Sequence, residues 1–294
     1  MNASQKKPSL LVLLTRTLTL MTINYASKFD AKVDERFAKE ALSTGIINQD
    51  FDFTGVDTVK VYSIPTTGMN DYSLTGNTRY GTAAELENNV QTLTLTKDRS
   101  FTFTIDKRSV QDTNGTMEAG KALARQLSEV VIPEVDKYRF GKVVAGADTD
   151  HVKTGAVTKN NAYEAVLDGQ VKLTDALVPE EGRKLHVSPE FYKLIKLDPS
   201  FVKNSDLGQE VAFKGQVGAI DGLPVILTPT SRLPENVAFV IAHPIATTSP
   251  VKLEDYKIHD NPPGINGYLV EGRIRYDAFV LDSKKKAIYV HKTA

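Results

Sequence analysis

The sequence predicts an α+β fold. A short helical segment is followed by alternating, β-branched segments and then by a long helical segment, and the second half mixes short helices with buried strands before closing in strands. The 294 residues, 41% of them hydrophobic and 24% charged, are enough for one large domain or two ordinary ones with a buried core.

The composition excludes several classes of protein. The chain has no cysteine, which rules out disulfide scaffolds, thiolate zinc sites and cysteine nucleophiles. Lysine plus arginine equals aspartate plus glutamate at 36 each, so the formal net charge is zero. This balance does not indicate a strongly basic nucleic-acid binder. A neutral chain also lacks the long-range self-repulsion that opposes packing against copies of itself.

The first twenty residues contain a short apolar run, Leu10 to Leu14, after two lysines. Arg16 and several threonines interrupt the run, no clean small-residue cleavage site follows, and a bilayer span takes ~20 apolar residues. We therefore expect Met21 to be the biological start, in preference to a signal peptide. A signal peptide would instead suit a secreted adhesin, and export of a processed chain would separate that alternative.

An amphipathic helix is predicted from Lys28 to Leu42, ending at Gly45. Its apolar residues recur at helical spacing, and Ser27 is available as a cap. Residues 1–50 are therefore expected to form an N-terminal extension and arm.

Residues 51–110 predict an extended two-stranded loop. Val59 to Ile64 alternates as a strand does, Pro65 ends it, and residues 65–90 are rich in turn-formers. Alternation returns from Leu93 to Ile105, with a break expected at the charged patch Lys97-Asp98-Arg99. Threonines leave neither face strongly apolar, so such a loop needs another surface to lie on.

A long helix is predicted from Thr116 to about Ala145, with six apolar or aromatic residues on one face. Pro133 lies inside it, where a proline costs ~3 kcal/mol, so we expect a kink or two abutting helices. Residues 111–158 contain this helix and most of a polar linker that runs from Gly146 to Lys159.

Residues 159–245 read as an α/β unit and residues 246–294 as closing strands. The predicted elements of the first are a helix, a strand, a helix beginning at Ser188-Pro189, a glycine turn with a buried strand, and a last buried strand: Ala162–Leu177, Lys184–Val187, Phe191–Leu197, 215–229 and Val237–Ala242. The predicted closing strands are Val251–Ile258, Tyr268–Tyr276, Ala278–Leu281 and Ile288–Val290.

The search for chemistry identifies no catalytic residue, no cofactor-binding residue and no metal site. Gly115 to Lys121 has the spacing of a phosphate-binding loop, but Ala122 stands where Ser or Thr should hold magnesium, and Glu118 would face the phosphates. The five histidines have no metal-binding spacing, and no serine lies in a nucleophile elbow. We therefore expect a protein that is not an enzyme. An α/β hydrolase or nucleotide-binding enzyme using residues 160–245 is kept as an alternative.

Several segments resemble the major capsid proteins of tailed bacteriophages, whose fold is shared with encapsulins and herpesvirus shells. TLTLTKDRSFTFTIDK at 92–107 looks like the returning strand of that family's extended loop. EAGKALARQLSEVVIPEVDKYRF at 118–140 is similar to the spine helix of a subgroup from phages of Gram-positive bacteria. VGAIDGLPVI at 217–226 resembles the glycine turn and strand of the axial domain. HPIATTSPVKLEDYKI at 243–258 and GRIRYDAFVLDSKKKAIYV at 272–290 look like the closing region.

The resemblance implies a fold with an N-terminal arm, an extended two-stranded loop, a spine helix in a peripheral domain, an α/β axial domain, and closing strands that return to the peripheral domain. It implies subunits that form hexamers and pentamers of an icosahedral shell, with each extended loop overlapping a neighbour. The implied partners are other copies of the chain, packaged double-stranded DNA bound non-specifically, a portal protein and scaffolding or decoration proteins, with no membrane. The implied location is the virion, and the bacterial cytoplasm during assembly. An encapsulin-like nanocompartment shell is the alternative within the same fold.

Seven residues are candidates for the subunit interface. Tyr62, Tyr72 and Tyr80 are expected contact anchors, because tyrosine is enriched at interfaces, although packing on their own arm is equally open. Four charged residues are candidates for ion pairs between subunits: Arg79, Lys97, Asp98 and Arg99.

Overall fold

The computed structural model describes residues 41–48, 50–51, 57–83, 85–86, 88–112, 118–198 and 216–293. The interpretation of residues 1–20 and nearly all of the helix predicted from Lys28 to Leu42 lie outside this part of the chain. Just after the predicted helix, Ser43–Ile46 forms a 3-10 turn.

The described residues form thirteen strands and five α-helices. The strands are β1 (Thr58–Ser63), β2 (Asn89–Thr94), β3 (Lys97–Asp106), β4 (Val152–Thr154), β5 (Lys184–Val187), β6 (Gln216–Ile220), β7 (Leu223–Leu227), β8 (Val237–Ala242), β9 (Thr247–Thr248), β10 (Val251–Asp260), β11 (Gly267–Tyr276), β12 (Phe279–Val280) and β13 (Ile288–Lys292). The helices are α1 (Lys107–Asp112), α2 (Ala119–Gln126), α3 (Ile132–Ala145), α4 (Ala162–Asp175) and α5 (Pro189–Lys196).

The main core surrounds a six-stranded mixed sheet in the order β4-β13-β8-β5-β7-β6. Every residue of β8 is buried, as its continuous apolar sequence predicts for a central strand. Apolar side chains of α3, α4 and α5 join the same core, among them Phe140, Val166 and Phe191. Between β6 and β7 the chain turns at Asp221 and Gly222, which have φ of 49° and 77°. The sequence predicted this turn, since two consecutive positive φ angles favour an Asp-Gly pair.

A second sheet has three antiparallel strands in the order β10-β11-β3. Ile105, Ala119 and Val270 form a small buried cluster where the first turn of α2 meets this sheet. The extended loop contributes a two-stranded sheet of its own, β1 paired with β2, and β9 pairs with β12.

The long helical segment near the middle consists of two α-helices joined by a π-helical turn. The turn covers Leu127–Val131, and the N–H of Ile132 donates to the carbonyl of Leu127 at its end. Pro133 follows at the start of α3, where a missing N–H is tolerated. The prediction of two abutting helices is thereby confirmed, with α2 beginning at Ala119 and residues 113–117 outside the described part.

Three sequence expectations are corrected. The break before β3 lies at Leu95 and Thr96, and the predicted break at Lys97-Asp98-Arg99 is wrong because these residues are inside β3. The polar linker contains β4, which pairs in parallel with β13. The closing segment is divided among three sheets: β10 and β11 join β3, β9 pairs with β12, and β13 lies between β4 and β8 in the main sheet.

The α+β class and most predicted elements agree with the structure. The strands β5 and β8 have the predicted bounds, and β1, β10, β11 and α4 agree within two residues. Among the described helices, none combines the length and apolar character that a bilayer crossing requires.

Candidate subunit interface

The extended arm, defined here as β1, β2 and the intervening residues 64–88, projects its side chains mainly into solvent. β1 and β2 pair antiparallel from Thr58 opposite Thr94 to Ser63 opposite Asn89. Near the base, Leu93 and Leu95 are buried against Leu281. Away from the base no such cover exists in the described residues, and Tyr62 is 63% exposed. The base of the arm therefore packs on its own chain, and the rest does not.

The tip of the arm covers residues 64–88. Its described residues are held by local hydrogen bonds and not by packing on the body of the molecule. The N–H of Ser73 donates to the carbonyl of Arg79 over 3.0 Å, and the N–H of Gly81 donates to the carbonyl of Thr78 over 2.9 Å. Its apolar side chains nevertheless face solvent, with Leu74 82% and Tyr80 84% exposed. The large apolar residues that this segment exposes are Ile64, Met69, Tyr72, Leu74, Tyr80 and Leu86. Exposed apolar side chains concentrated in this way indicate an interaction surface.

Three of the four predicted contact residues of the arm lie in its tip: Tyr72, Arg79 and Tyr80. Tyr72 and Tyr80 meet edge to face with ring centroids 5.0 Å apart, yet both rings keep most of their surface exposed. Arg79 donates from Nε to the carbonyl of Gly76 over 3.2 Å. Tyr62 lies on β1, further towards the base. The two tyrosines at the tip thus pack on each other and still present a surface.

The other three predicted residues lie on β3, in the body of the molecule, and have partners within the chain. Asp98 accepts two hydrogen bonds from Arg273, over 2.9 and 2.6 Å, which lower the pKa of its carboxyl group. Arg99 pairs with Glu134 over 2.7 Å. The ammonium of Lys97 lies 5.0 Å from the centroid of the Tyr138 ring. The structure therefore does not bring these three together with the tip of the arm.

Sequence reasoning missed two buried aspartates. One connects the extended arm to α3, and the other, on α3, binds the segment at residues 42–43. Asp277, 1% exposed, binds Thr96 at the base of the arm and Tyr138 on α3. Asp136, 0% exposed, pairs with Arg232 over 2.7 Å and binds Ser43. Isolated aspartates carry no periodic or motif signal, so no pattern in the sequence could have identified them.

Among the residues considered for chemistry, Lys121 has an ion pair and three of the histidines are buried. Lys121 of the apparent phosphate-loop spacing pairs with Glu118 over 3.4 Å, while Gly115 lies outside the described residues. His151, His186 and His291 are buried, and burial lowers the pKa of each imidazole. Across the described residues, no three side chains of the metal-binding types come together as a candidate site.

Comparison with known proteins identifies the fold and the family. A family model described as phage capsid protein matches residues 87–290. A solved chain of Mycobacterium phage Che8 superposes with a TM-score of 0.70 at 17% identity, over 92% of this chain and 98% of that chain. The capsid of cyanophage P-SCSP1u gives 0.70 at 14% identity, over 92% and 93%. The mature capsid of bacteriophage PhiM1 gives 0.66 at 13% identity, over 92% and 92%. No curated protein sequence matches the chain.

The structural likeness confirms the tailed-phage major capsid fold that the sequence resemblance implied. The family match covers well over half of the chain, from just before β2 to a position inside β13. The protein therefore belongs to the phage capsid protein family.

Proposed function

We propose that this chain is a major capsid protein whose copies assemble into hexamers and pentamers of an icosahedral shell around the phage genome. The observation that carries the proposal is the tip of the arm, where a locally ordered loop holds exposed apolar side chains that the described residues of the chain do not cover. Burial of that surface against a neighbour would contribute roughly 25 cal/mol per Å² of apolar area. Repetition over many copies lets weak contacts suffice.

The proposed subunit interface consists of Tyr62, Tyr72, Arg79 and Tyr80 on the arm. We propose a smaller contribution to the subunit interface for Lys97, Asp98 and Arg99, because Asp98 and Arg99 already have ion pairs within the chain. Exposed ion pairs are worth about 0–1 kcal/mol each, so exchanging them for pairs between subunits gains little.

The proposed division of the chain follows the family plan. Residues 1–50 form the N-terminal extension with an N-terminal arm, which is distinct from the extended arm defined above. Residues 51–110 form the extended loop, which includes that extended arm, together with β3. Residues 111–158 form the long helix with most of its linker. Residues 159–245 form the axial domain, and 246–294 the closing segment, whose last strand is shared with the axial sheet.

The proposed partners are other copies of the chain, packaged double-stranded DNA held without sequence preference, a portal protein and scaffolding or decoration proteins. The proposed location is the virion shell, after assembly in the bacterial cytoplasm. The family match favours this function over the encapsulin-like compartment and over the α/β enzyme, and DNA inside purified particles would separate the first two.

Size-exclusion chromatography with negative-stain microscopy tests the proposal on the full-length protein and on a version that starts at Met21. Shells, capsomer rings or tubes from either version are the expected result. DNA-free particles loaded with an enzyme would favour the compartment. A substrate turned over by the purified protein, with its loss on mutation of residues within 160–245, would favour the enzyme.

A further inference from the structure

The extended arm is attached to the body of the molecule by two carboxylates, one where the chain enters the arm and one where the chain leaves it. Asp57 immediately precedes β1, where the chain enters the arm. Leu95 and Thr96 form the two-residue junction where the chain leaves β2 and enters β3, and the side chain of Asp277 binds this junction. In the body, Asp57 binds Lys252 and Arg275. These two residues and Asp277 lie at the same end of the β10–β11 hairpin, where Val251 pairs with Tyr276.

The outgoing strand is held by an exposed ion-pair cluster. Asp57 pairs with Arg275 over 2.9 Å and with Lys252, and hydrogen bonds from Lys252 and Arg275 lower the pKa of its carboxyl group. The carbonyl of Asp57 also accepts a hydrogen bond from the N–H of Leu95 over 3.0 Å. The entry and exit of the arm are thus tied both to the body and to each other.

The returning strand is held by a buried carboxylate that accepts four hydrogen bonds. Oδ2 of Asp277 accepts from the N–H and the hydroxyl of Thr96, over 2.8 and 2.7 Å. Oδ1 accepts from the hydroxyl of Tyr138 over 2.6 Å and from the N–H of Ala278 over 2.8 Å. Among the described residues, no lysine, arginine or histidine forms an ion pair with Asp277. Its charge is stabilised by these four donors, and charge-assisted hydrogen bonds of this kind are both strong and directional.

The same carboxylate connects the arm to the long helix. Tyr138 lies on α3, and its burial, followed by its hydrogen bond to Asp277, raises the pKa of the phenol. The carbonyl of Asp277 accepts from the hydroxyl of Ser249 over 2.7 Å, and that hydroxyl accepts from Nε of Arg139 over 2.9 Å. A rotation of the arm about its base would therefore disturb the hydrogen bonds that Thr96 donates to Asp277.

We propose that Asp57 and Asp277 are positioning residues that hold the arm in one orientation in the free subunit, before any neighbour binds. The inference rests on the proposed function, in which the arm overlaps a neighbouring copy. An interface element that is already in its bound orientation loses less conformational freedom on association, and this raises affinity without adding a contact.

A distance measurement between two spin labels tests the orientation directly in the full-length subunit kept unassembled at low concentration. The chain has no cysteine, so Asn89→Cys at the outer end of β2 and Lys172→Cys on α4 give two unique labelling sites. We expect one narrow distance distribution in the parent protein. In the Asp277→Asn background we expect a broad or shifted distribution, because the amide NH₂ must face either the donors of Thr96 or those of Tyr138 and Ala278.

Asp198→Asn is the matched control. Asp198 is also 1% exposed and accepts a hydrogen bond from the N–H of Tyr163 over 3.0 Å, but it lies beside α4, away from the arm. This control should leave the label distribution unchanged. A distribution in Asp277→Asn that equals the parent's would overturn the proposal for Asp277.

Asp57→Asn serves as a second variant, because its side chain is about half exposed and its loss does not threaten folding. It should broaden the distribution less than Asp277→Asn, and an unchanged distribution would overturn the role of Asp57. We further expect Asp277→Asn to raise the protein concentration needed for assembly about tenfold, which corresponds to about 1.4 kcal/mol. A parent protein that never assembles, either alone or with a scaffolding protein, would refute the proposed function, whereas the label distances would still decide whether the carboxylates position the arm.

Discussion

At the residue scale, Asp136 shows how one buried carboxylate joins three parts of the chain. Its Oδ2 accepts from Nη1 of Arg232 over 2.7 Å and from the N–H of Leu42 over 2.9 Å, and its Oδ1 accepts from the hydroxyl of Ser43 over 2.5 Å. Arg139, which is also buried, lies close enough for the charge of Asp136 to act on its pKa. The carboxylate thus balances buried positive charge and satisfies backbone donors at once.

Asp136→Asn should lower the free energy of unfolding by about 3–5 kcal/mol, because it removes the buried negative charge that pairs with Arg232 and lies close to Arg139. Urea unfolding of the unassembled subunit, followed by circular dichroism, measures the change. Asp71→Asn, in the exposed tip of the arm, is the control and should change the free energy by less than about 0.5 kcal/mol. Equal stability of the two variants would contradict the role given to Asp136.

His186 predicts how stability depends on pH. Burial, followed by the charge of Lys184, lowers the pKa of its imidazole from 6.5 to about 3, and its Nδ1 lies 3.0 Å from the hydroxyl of Thr228. Between these pH values the unfolded chain binds a proton that the folded chain excludes. Stability therefore falls as pH decreases from about 6.5 towards 3, by up to ~1.4 kcal/mol per pH unit from this residue.

His186→Asn isolates that contribution, because its amide can still reach Thr228 and does not titrate. Urea unfolding of the unassembled subunit at pH 7 and pH 5 should show a smaller loss of stability in the variant than in the parent protein. An equal loss in both proteins would mean that His186 is protonated in the folded state.

At the scale of elements, the sequence predicts what local patterns control and misses what depends on tertiary partners. The bounds of β5 and β8 follow from short apolar runs between turn signals, and the division of the long helical segment into two helices follows from Pro133 in a helical pattern. The predicted break at Lys97 to Arg99 is wrong because these charges are accommodated in β3 by partners distant in sequence: Arg273, Glu134 and Tyr138. The tyrosines of the arm were identifiable from composition and position, whereas Asp277 acts through contacts that no local pattern reveals.

Gly272 on β11 is required by close packing in the three-stranded sheet. A Cβ atom at this position would overlap the ring of Phe101 on β3 and would lie 2.8 Å from Cδ1 of Tyr256 on β10. Gly272→Ala should therefore lower the free energy of unfolding by about 1–3 kcal/mol, since both rings must shift. Thermal unfolding of the unassembled subunit measures the effect.

Gly141→Ala is the matched control for that substitution. Gly141 lies in α3, and a Cβ atom there has no neighbour within 4 Å. Alanine should raise stability by about 0.5–1 kcal/mol at a helix position of this kind. A loss of stability in Gly141→Ala, or none in Gly272→Ala, would contradict the packing described for these two elements.

At the scale of the whole molecule, the described part of the chain combines a body that has a buried core with an arm whose tip those residues leave exposed. The α+β class and the order of elements could be predicted, because each element has its own periodicity. The position of β13 between β4 and β8 could not, because a strand's partners depend on competition among all strands and not on its own sequence. The same limit applies to the attachment of the arm, which depends on residues up to 195 positions apart in the chain.

The most direct test of the central claim, that the tip of the arm is an interface surface and not a part of the fold, is to shorten the arm. β1 and β2 pair as far as Ser63 opposite Asn89, so residues 64–88 can be replaced by an Asn-Gly turn that closes the hairpin. Sedimentation velocity, with microscopy of the products, compares the short-armed and full-length proteins at the same concentration, and urea unfolding checks the fold. We predict unchanged free energy of unfolding and loss of all shells, rings and tubes. Assembly of the short-armed protein into the same particles as the full-length chain would contradict the account.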